Sequence, residues 1–311
     1  MSESKQGLVI KSTGSWYKVE SIEGKLIDCQ IKGKFRIKGL RTTNPLAVGD
    51  RVGFIMNEDG TGVIESIEVR KNYIIRKSVN LSKEAHIVAS NVDRAYLVVT
   101  LVKPPTSFGF IDRFLVTAEA YSIPVTILFN KVDVYNDEAY DKLDVYRSIY
   151  EAIGYGCMEI SALTGHGMDA LRESMKSQIN LLSGHSGVGK STLINALIPG
   201  LDIKTSDISE AHNKGRHTTT FAEMHKMENG GYLVDTPGIK GFGLVDIPKE
   251  ELHHYFPEFF ERLSECKFHN CLHINEPGCA IKKSIEAGDL SYERYQSYFM
   301  MFNDDGSTSY R

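Results

Sequence analysis

The segment that most constrains how this chain can fold is a glycine-rich stretch at 184–191, GHSGVGKS. It matches the phosphate-binding pattern G-x-x-x-x-G-K-[ST], which joins the end of a strand to the start of a helix. Both neighbours are present, because the apolar run Ile179–Leu182 precedes the stretch and a helix-forming run at 191–197 follows it. The pattern predicts an α/β domain that binds a nucleoside triphosphate, with Lys190 on the β- and γ-phosphates and Ser191 on Mg²⁺.

A second motif indicates which base is bound. The segment Asn130-Lys131-Val132-Asp133 follows the apolar run 125–129, and the Asp133 carboxylate can accept hydrogen bonds from N1–H and the exocyclic amine of guanine. Two further guanine-nucleotide motifs, S-A-L at 161–163 and D-T-P-G at 235–238, also follow apolar runs. The predicted GTP-binding residues are Asn130, Lys131, Val132, Asp133, Ser161, Ala162, Gly184, His185, Ser186, Gly187, Val188, Gly189, Lys190, Ser191, Thr192, Asp235 and Gly238.

The order of these motifs is unusual. A Ras-like chain has the phosphate loop first, then D-x-x-G, N-K-x-D and S-A-x, whereas here the motifs at 130 and 161 precede those at 184 and 235. The order predicts a circularly permuted domain, because new termini at surface loops leave the nucleotide pocket intact. Buried strands alternate with helical stretches from about 90 onwards, which is typical of a doubly wound α/β sheet. The strands are expected at 95–102, 125–129, 158–161, 179–182, 221–227 and 232–234, with helices near 111–121, 137–153, 168–176 and 190–197.

The chain before this domain has a different pattern. Residues 1–75 contain short candidate strands separated by glycine turns, which predicts a small β-barrel of the OB or SH3-like type. This region carries 12 Lys and Arg against 9 Asp and Glu, a net charge of +3 in a chain of net charge −4. Alternation along 31–38 places four cations on one strand face, which is either a solvated face or a surface that binds RNA phosphates. The four cations are Lys32, Lys34, Arg36 and Lys38.

Three of the five cysteines lie close together near the C-terminus, in a pattern that favours a metal site over a disulfide. The spacing Cys266-x4-Cys271-x-His273-x5-Cys279 supplies three thiolates and one imidazole, the ligand set of a closed tetrahedral zinc site with a structural role. His269 lies between the first two cysteines and is a competing ligand.

The permuted motif order, the basic barrel in front and the Cys/His cluster behind together resemble the bacterial RsgA family, which includes the YjeQ and YloQ proteins. The resemblance covers essentially the whole chain, including Asn91-Val92-Asp93 before the first strand of the GTPase domain. It implies an OB-fold at 1–75, a circularly permuted GTPase domain at 76–248 and a mostly helical zinc domain at 249–311. It also implies His273 as the fourth zinc ligand, and Mg²⁺-dependent GTP hydrolysis stimulated by the 30S subunit, with 16S rRNA as a partner in late maturation.

The guanine-nucleotide motifs do not supply the residue that orients the attacking water. Ile239 stands where Ras-like enzymes carry the Gln that orients the attacking water, and isoleucine cannot do so. The nearest replacement is His217, in a segment where the family also carries a His followed by threonines. Either Thr218 or Thr219 would contact Mg²⁺ and the γ-phosphate, and Lys190 would stabilise the transferred phosphoryl group.

The amino-acid composition excludes several classes of protein. With 41% hydrophobic and 24% charged residues, the chain is neither disordered nor a coiled coil. The longest nearly unbroken apolar run, Ala95–Val102, is too short for a membrane span of about 20 residues. We therefore expect a multi-domain α/β protein in the cytoplasm, a monomer without a membrane partner. The alternative function is a GTP-regulated, zinc-containing RNA-binding protein that acts on a non-ribosomal partner.

Overall fold

The computed structural model describes residues 4–31, 45–77, 85–203, 223–235 and 247–304. Within these ranges the chain forms an N-terminal barrel, a short hairpin, a central sheet covered by helices and a C-terminal helical region. None of the helices in these ranges combines the length and apolar character that a membrane crossing requires.

The N-terminal barrel is closed by pairing between its first and fourth strands. Its strand order is β1-β2-β3-β5-β4, and β3 pairs with β5 in parallel, as in an OB-type barrel. Alternate side chains such as Val9, Val19 and Phe54 fill the interior, which is fully buried. The predicted barrel is therefore confirmed. The strands are β1 (Lys5–Ser12), β2 (Tyr17–Ser21), β3 (Leu26–Ile31), β4 (Arg51–Met56) and β5 (Gly62–Ile67).

A two-stranded antiparallel hairpin of β6 (Tyr73–Lys77) and β7 (Ala85–Ser90) follows the barrel. The buried carboxylate of Asp50 fixes this junction, because it accepts hydrogen bonds from Arg70 at 2.6 Å and from the Ser90 hydroxyl at 2.6 Å. The domain boundary predicted at 75/76 falls inside β6, and the domain boundaries remain predictions.

The central sheet has the strand order β10-β9-β8-β11-β13-β12, with parallel pairing except for β12. Its predicted strands and helices agree with the structure to within three residues at either end. Helices α1 and α2 cover one face and α3 and α4 the other, so the doubly wound fold is confirmed. The strands are β8 (Arg94–Val99), β9 (Val125–Phe129), β10 (Gly156–Glu159), β11 (Ile179–Ser183), β12 (Glu223–Lys226) and β13 (Tyr232–Asp235). The helices are α1 (Phe108–Ala120), α2 (Asp137–Ala152), α3 (Met168–Ser174) and α4 (Lys190–Leu197).

The barrel is attached to the edge of this sheet. Lys11 of β1 pairs with Glu223 of β12 through the backbone, and the two side chains form an ion pair at 2.7 Å. Glu20 of β2 forms an ion pair with Lys226 and accepts a hydrogen bond from the Tyr232 hydroxyl at 2.8 Å. The barrel thereby contacts the two strands β12 and β13.

The C-terminal region is mostly helical, as predicted. It contains 3₁₀ stretches at Lys249–Tyr255 and Leu263–Glu265. One α-helix lies between these stretches and two α-helices follow them. Its apolar core includes Phe256, Phe259 and Tyr298, and Val116 of α1 belongs to the same core. The region therefore packs directly on the central domain through α1. The helices are α5 (Pro257–Arg262), α6 (Ala280–Ala287) and α7 (Tyr292–Asn303).

Candidate functional site

The glycine-rich stretch forms a loop between β11 and α4, and its glycines occupy conformations that other residues rarely adopt. Gly184, Gly187 and Gly189 have φ values of 152°, 85° and 94°. A Cβ atom on Gly184 would lie 2.4 Å from the Val98 carbonyl oxygen, and one on Gly189 would lie 2.6 Å from the amide nitrogen of Asn130. The loop is therefore closely packed against its neighbours, and glycine is required by both backbone conformation and space.

Lys190 begins α4 and turns its side chain back over the loop. Its ammonium group donates to the carbonyl oxygens of Gly184 and His185, both at 2.7 Å. Burial lowers the pKa of Lys190 to about 8. The cation is thus held where the loop closes, and phosphate oxygens can replace the two carbonyl partners. Ser191 and Thr192 occupy the following positions of the first turn of α4 and are half-buried.

Asn130 connects three of the predicted motifs. Its amide nitrogen donates to the Val188 carbonyl at 2.8 Å, and its amide oxygen accepts from the Ala162 N–H at 3.2 Å. The side chain is almost completely buried. Lys131 adds a second link, because its ammonium group donates to the Gly187 carbonyl at 2.7 Å. The loops at 130–133, 161–163 and 184–191 therefore form one continuous surface.

Asp133 presents an exposed carboxylate at the edge of this surface. The Ser161 hydroxyl donates to it at 2.5 Å, and the same hydroxyl oxygen accepts from the Thr164 N–H at 3.1 Å. Val132 is buried beside it and its N–H bonds the Ile160 carbonyl, which anchors the turn. A carboxylate held in this way can accept two hydrogen bonds from a base edge.

The sequence prediction missed the loop at 100–107, which follows β8 and borders the phosphate-binding loop. Thr106 lies 2.7 Å from His185, Lys103 accepts a hydrogen bond from Lys131 at 3.0 Å, and Pro104 packs against Gly187. The topology of the sheet could have identified this loop as part of the site. In α/β sheets, ligands bind beyond the carboxyl ends of the strands, and β8 is the neighbour of β11.

A second cluster lies in the C-terminal region, where the ligand atoms of Cys266, Cys271, His273 and Cys279 lie within 4.8 Å of one another. Nδ1 of His273 is 3.4 Å from the Cys279 sulfur and 3.7 Å from the Cys266 sulfur. Burial raises the pKa of Cys271 and lowers that of His273 to about 4. Three thiols around a neutral imidazole fit a cation that stabilises their thiolate forms. The competing candidate His269 is exposed and lies outside this group.

Surrounding side chains hold the metal-binding loop in shape. The hydroxyls of Tyr295 and Tyr298 in α7 donate to the carbonyls of His273 and Leu272, at 2.8 and 2.6 Å. The Glu276 carboxylate accepts backbone N–H bonds from the same loop, including that of Leu272 at 3.0 Å. The ligands are therefore positioned by the helical core of the region.

Several predicted residues lie outside the part of the chain that the structure describes. They are Lys32, Lys34, Arg36, Lys38, His217, Thr218, Thr219 and Gly238. Asp235 ends β13, and its backbone pairs with Glu223. The predicted roles of all these residues remain predictions.

Comparison with known proteins gives two adjoining family matches. Residues 67–245 match the RsgA GTPase family and residues 6–64 match the RsgA N-terminal domain. The chain is 58% identical over 306 residues to a Bacteroides fragilis protein named small ribosomal subunit biogenesis GTPase RsgA, covering 98% of this chain and 99% of that protein. A protein of the same name from Christiangramia forsetii is 55% identical, with 96% of each chain covered.

Solved structures match over almost the full length. The crystal structure of YjeQ from Thermotoga maritima has a TM-score of 0.83 and 37% identity, covering 99% of this chain and 100% of that one. The structure of YloQ, a circularly permuted GTPase, has a TM-score of 0.79 and 31% identity, covering 99% of this chain and 98% of that one. These matches confirm the permuted arrangement predicted from the motif order.

Proposed function

This chain belongs to the RsgA GTPase family and is a GTP-hydrolysing enzyme, and on that premise we propose that it acts in the biogenesis of the small ribosomal subunit. The observation that carries the proposal is the identity of 58% with a small-subunit biogenesis GTPase along nearly the whole of both chains. Because the similarity includes the barrel and the C-terminal region, the proposal extends to the complete domain set and not only to the nucleotide site.

In the proposed reaction, the chain binds GTP across the carboxyl ends of β11, β9 and β10. Asp133 recognises guanine, and Lys190 stabilises negative charge on the β- and γ-phosphates. Ser191 lies next to Lys190 in α4, and its hydroxyl oxygen is a ligand type that Mg²⁺ accepts. Mg²⁺ would neutralise charge that develops on the phosphates, with Ser191 and either Thr218 or Thr219 as its protein ligands.

We assign the positioning of the attacking water to His217. The assignment rests on Ile239, which follows D-T-P-G and lacks any group that could hold water. His217 is followed by two threonines, and its imidazole can accept a proton from a water beside the γ-phosphate. Lys190 contributes to catalysis through charge stabilisation.

The Cys/His cluster would hold one Zn²⁺ with Cys266, Cys271, His273 and Cys279 as ligands. Four protein ligands leave no position for a substrate, so the metal stabilises the fold of the C-terminal region and takes no part in hydrolysis. Cys271 and Cys279 belong to the apolar core of the region, which supports this role.

We propose the domain division 1–75, 76–248 and 249–311, with the barrel binding 16S rRNA through Lys32, Lys34, Arg36 and Lys38. The alternation of these cations along the sequence supports a phosphate-binding face. The protein would act in the cytoplasm as a monomer that alternates between GTP and GDP.

Co-sedimentation with purified ribosomal subunits tests the proposal. We expect the chain to pellet tightly with small subunits in the presence of a non-hydrolysable GTP analogue, more weakly with GDP, and not with large subunits. Replacing the four cations by glutamine should weaken pelleting in both nucleotide states and reduce its salt dependence. Equal pelleting with small and large subunits would favour a non-ribosomal partner instead.

A further inference from the structure

The side chain of His185 bridges the phosphate-binding loop and the loop before α1. Its Nε2 lies 2.7 Å from the Thr106 hydroxyl, and its Nδ1 lies 3.0 Å from the carbonyl oxygen of Ser186. The ring of Phe110 packs perpendicular to the imidazole, with 5.1 Å between centroids. The phosphate-loop motif allows any residue at this position, so the motif does not predict the contacts of His185.

The two partners determine which imidazole nitrogen carries the proton. The Ser186 carbonyl can only accept, so Nδ1 must be the donor. The Thr106 oxygen already accepts the Thr100 N–H at 3.1 Å, and its own hydrogen is free to point at Nε2. A neutral imidazole protonated on Nδ1 therefore satisfies every group in this network.

The surroundings also disfavour the charged imidazole. Burial lowers the pKa of His185, and the cations of Lys190 from α4 and Lys131 from the loop after β9 lower it further. The other groups packed against the ring, Thr106 and Phe110, carry no charge. The hydrogen bond to Ser186 acts in the opposite direction and raises the pKa of His185.

The bond to Ser186 has a consequence for phosphate binding. Because a peptide unit is planar and trans, fixing the direction of the Ser186 carbonyl also fixes the direction of the Gly187 N–H on the opposite side. N–H groups at this part of a phosphate-binding loop face the nucleotide phosphates. Without a side-chain partner, the flexible Gly187 would allow this peptide to rotate.

We propose that His185 is a positioning residue for GTP binding: its neutral imidazole, held by Thr106, fixes the peptide between Ser186 and Gly187 so that the Gly187 N–H faces the phosphates. This inference rests on the GTPase activity and is independent of any ribosomal role. It also makes the loop at 100–107 part of the nucleotide site, although that loop contains none of the guanine-nucleotide motifs.

Two substitutions separate the two bonds of His185. In His185→Asn the amide nitrogen takes the place of Nδ1 and can still donate to Ser186, whereas His185→Ala loses both bonds. We expect His185→Ala to weaken GTP binding by about tenfold, the effect of losing one phosphate hydrogen bond, and His185→Asn to recover most of that loss. Affinity is measured by titration calorimetry on the full chain without ribosomes, and thermal unfolding of each variant is recorded in parallel.

A pH profile provides a readout that a space-filling role would not change. The pH dependence of the wild-type affinity should contain a component from protonation of His185, since the charged ring donates from both nitrogens and no longer accepts from the Thr106 hydroxyl. His185→Asn should lack this component, and protonation of the GTP phosphates affects both proteins equally.

Substitutions of Thr106 give an independent test. Thr106→Val removes the hydroxyl while keeping the shape of the side chain, and Thr106→Ser retains the hydroxyl. We expect a smaller loss of GTP affinity in the valine variant than in His185→Ala, and near-normal binding in the serine variant. Equal losses in His185→Ala and His185→Asn, or identical pH profiles for wild type and His185→Asn, would overturn the proposal. Failure of the wild-type chain to bind GTP would contradict the nucleotide-site assignment itself.

Discussion

Arg294 in α7 donates to the carboxylate of Asp112 in α1 at 2.7 Å, and both side chains are almost completely buried. The same guanidinium donates to both oxygens of Glu258 in α5, at 2.8 and 3.1 Å, and lies over the ring of Phe256. Tyr150 of α2 donates to the same Asp112 oxygen at 2.8 Å. The C-terminal region is therefore attached to α1, the helix that also begins beside the phosphate-binding loop.

Replacing Arg294 by leucine should destabilise this junction severely. Two buried carboxylates, those of Asp112 and Glu258, would then lose their shared cation, and burial already raises the pKa of Asp112 despite the nearby Arg294. Removing one partner of a buried ion pair costs about 3–5 kcal/mol. Denaturant unfolding measures the loss. Arg294→Lys is the matched control, because it retains the charge without the planar fork and should lose less. A loss below about 1 kcal/mol in the leucine variant would contradict the assigned role.

Asp133→Asn should change the base that the chain prefers. An asparagine amide cannot accept both guanine donors, but it can donate to the additional carbonyl of xanthine, so affinity for GTP should fall and that for xanthosine triphosphate should rise. Competition binding with GTP and xanthosine triphosphate measures this change in base preference. Ser161→Ala is the control, since it removes the partner that orients Asp133 and should weaken GTP binding without favouring xanthine. Unchanged GTP affinity in Asp133→Asn would reject this position for the base.

The sequence predicts the strands and motif loops well because their local patterns carry the information. The strand β8 is almost completely buried and reads as a continuous apolar run, and the predicted loops follow such runs. The missed contacts involve residues far apart in the chain. His185 and Thr106 are 79 positions apart, and Arg294 and Asp112 are 182 apart. A charged residue such as Arg294 in a helix ordinarily indicates an exposed face, and only the tertiary fold reveals its burial.

Removal of zinc should unfold the C-terminal region selectively. The proposed ligands Cys271 and Cys279 share a core with Phe259 and Tyr298, so loss of the metal would leave three thiols and an imidazole buried without a cation. We expect a chelator to increase hydrogen exchange after about residue 248 while GTP binding is retained. Fluorescence of Trp16, the single tryptophan, reports on the barrel and should not change. Freshly purified, reduced protein that contains no zinc would contradict the assignment.

The affinity for GTP should decrease above about pH 8. Burial lowers the pKa of Lys190 to about 8, and bound phosphates would raise it because they stabilise the ammonium form. Binding therefore takes up a proton above this pKa, and affinity falls by up to about tenfold per pH unit, whereas below it the lysine is charged in both states. Calorimetry in buffers with different ionisation enthalpies measures the proton uptake at about pH 8.5 and at about pH 7. Absence of uptake at the higher pH would show that Lys190 remains charged before GTP binds.

GTP turnover measured with and without purified small and large ribosomal subunits tests small-subunit-dependent hydrolysis most directly. We predict that small subunits raise the rate, by about 10³–10⁵-fold if they complete the catalytic site as other GTPase-activating partners do, and that large subunits do not. His217→Ala should retain GTP binding but lose about 10²–10⁴-fold of the stimulated rate. The same rate in the presence of small subunits, large subunits or neither would contradict the proposed function.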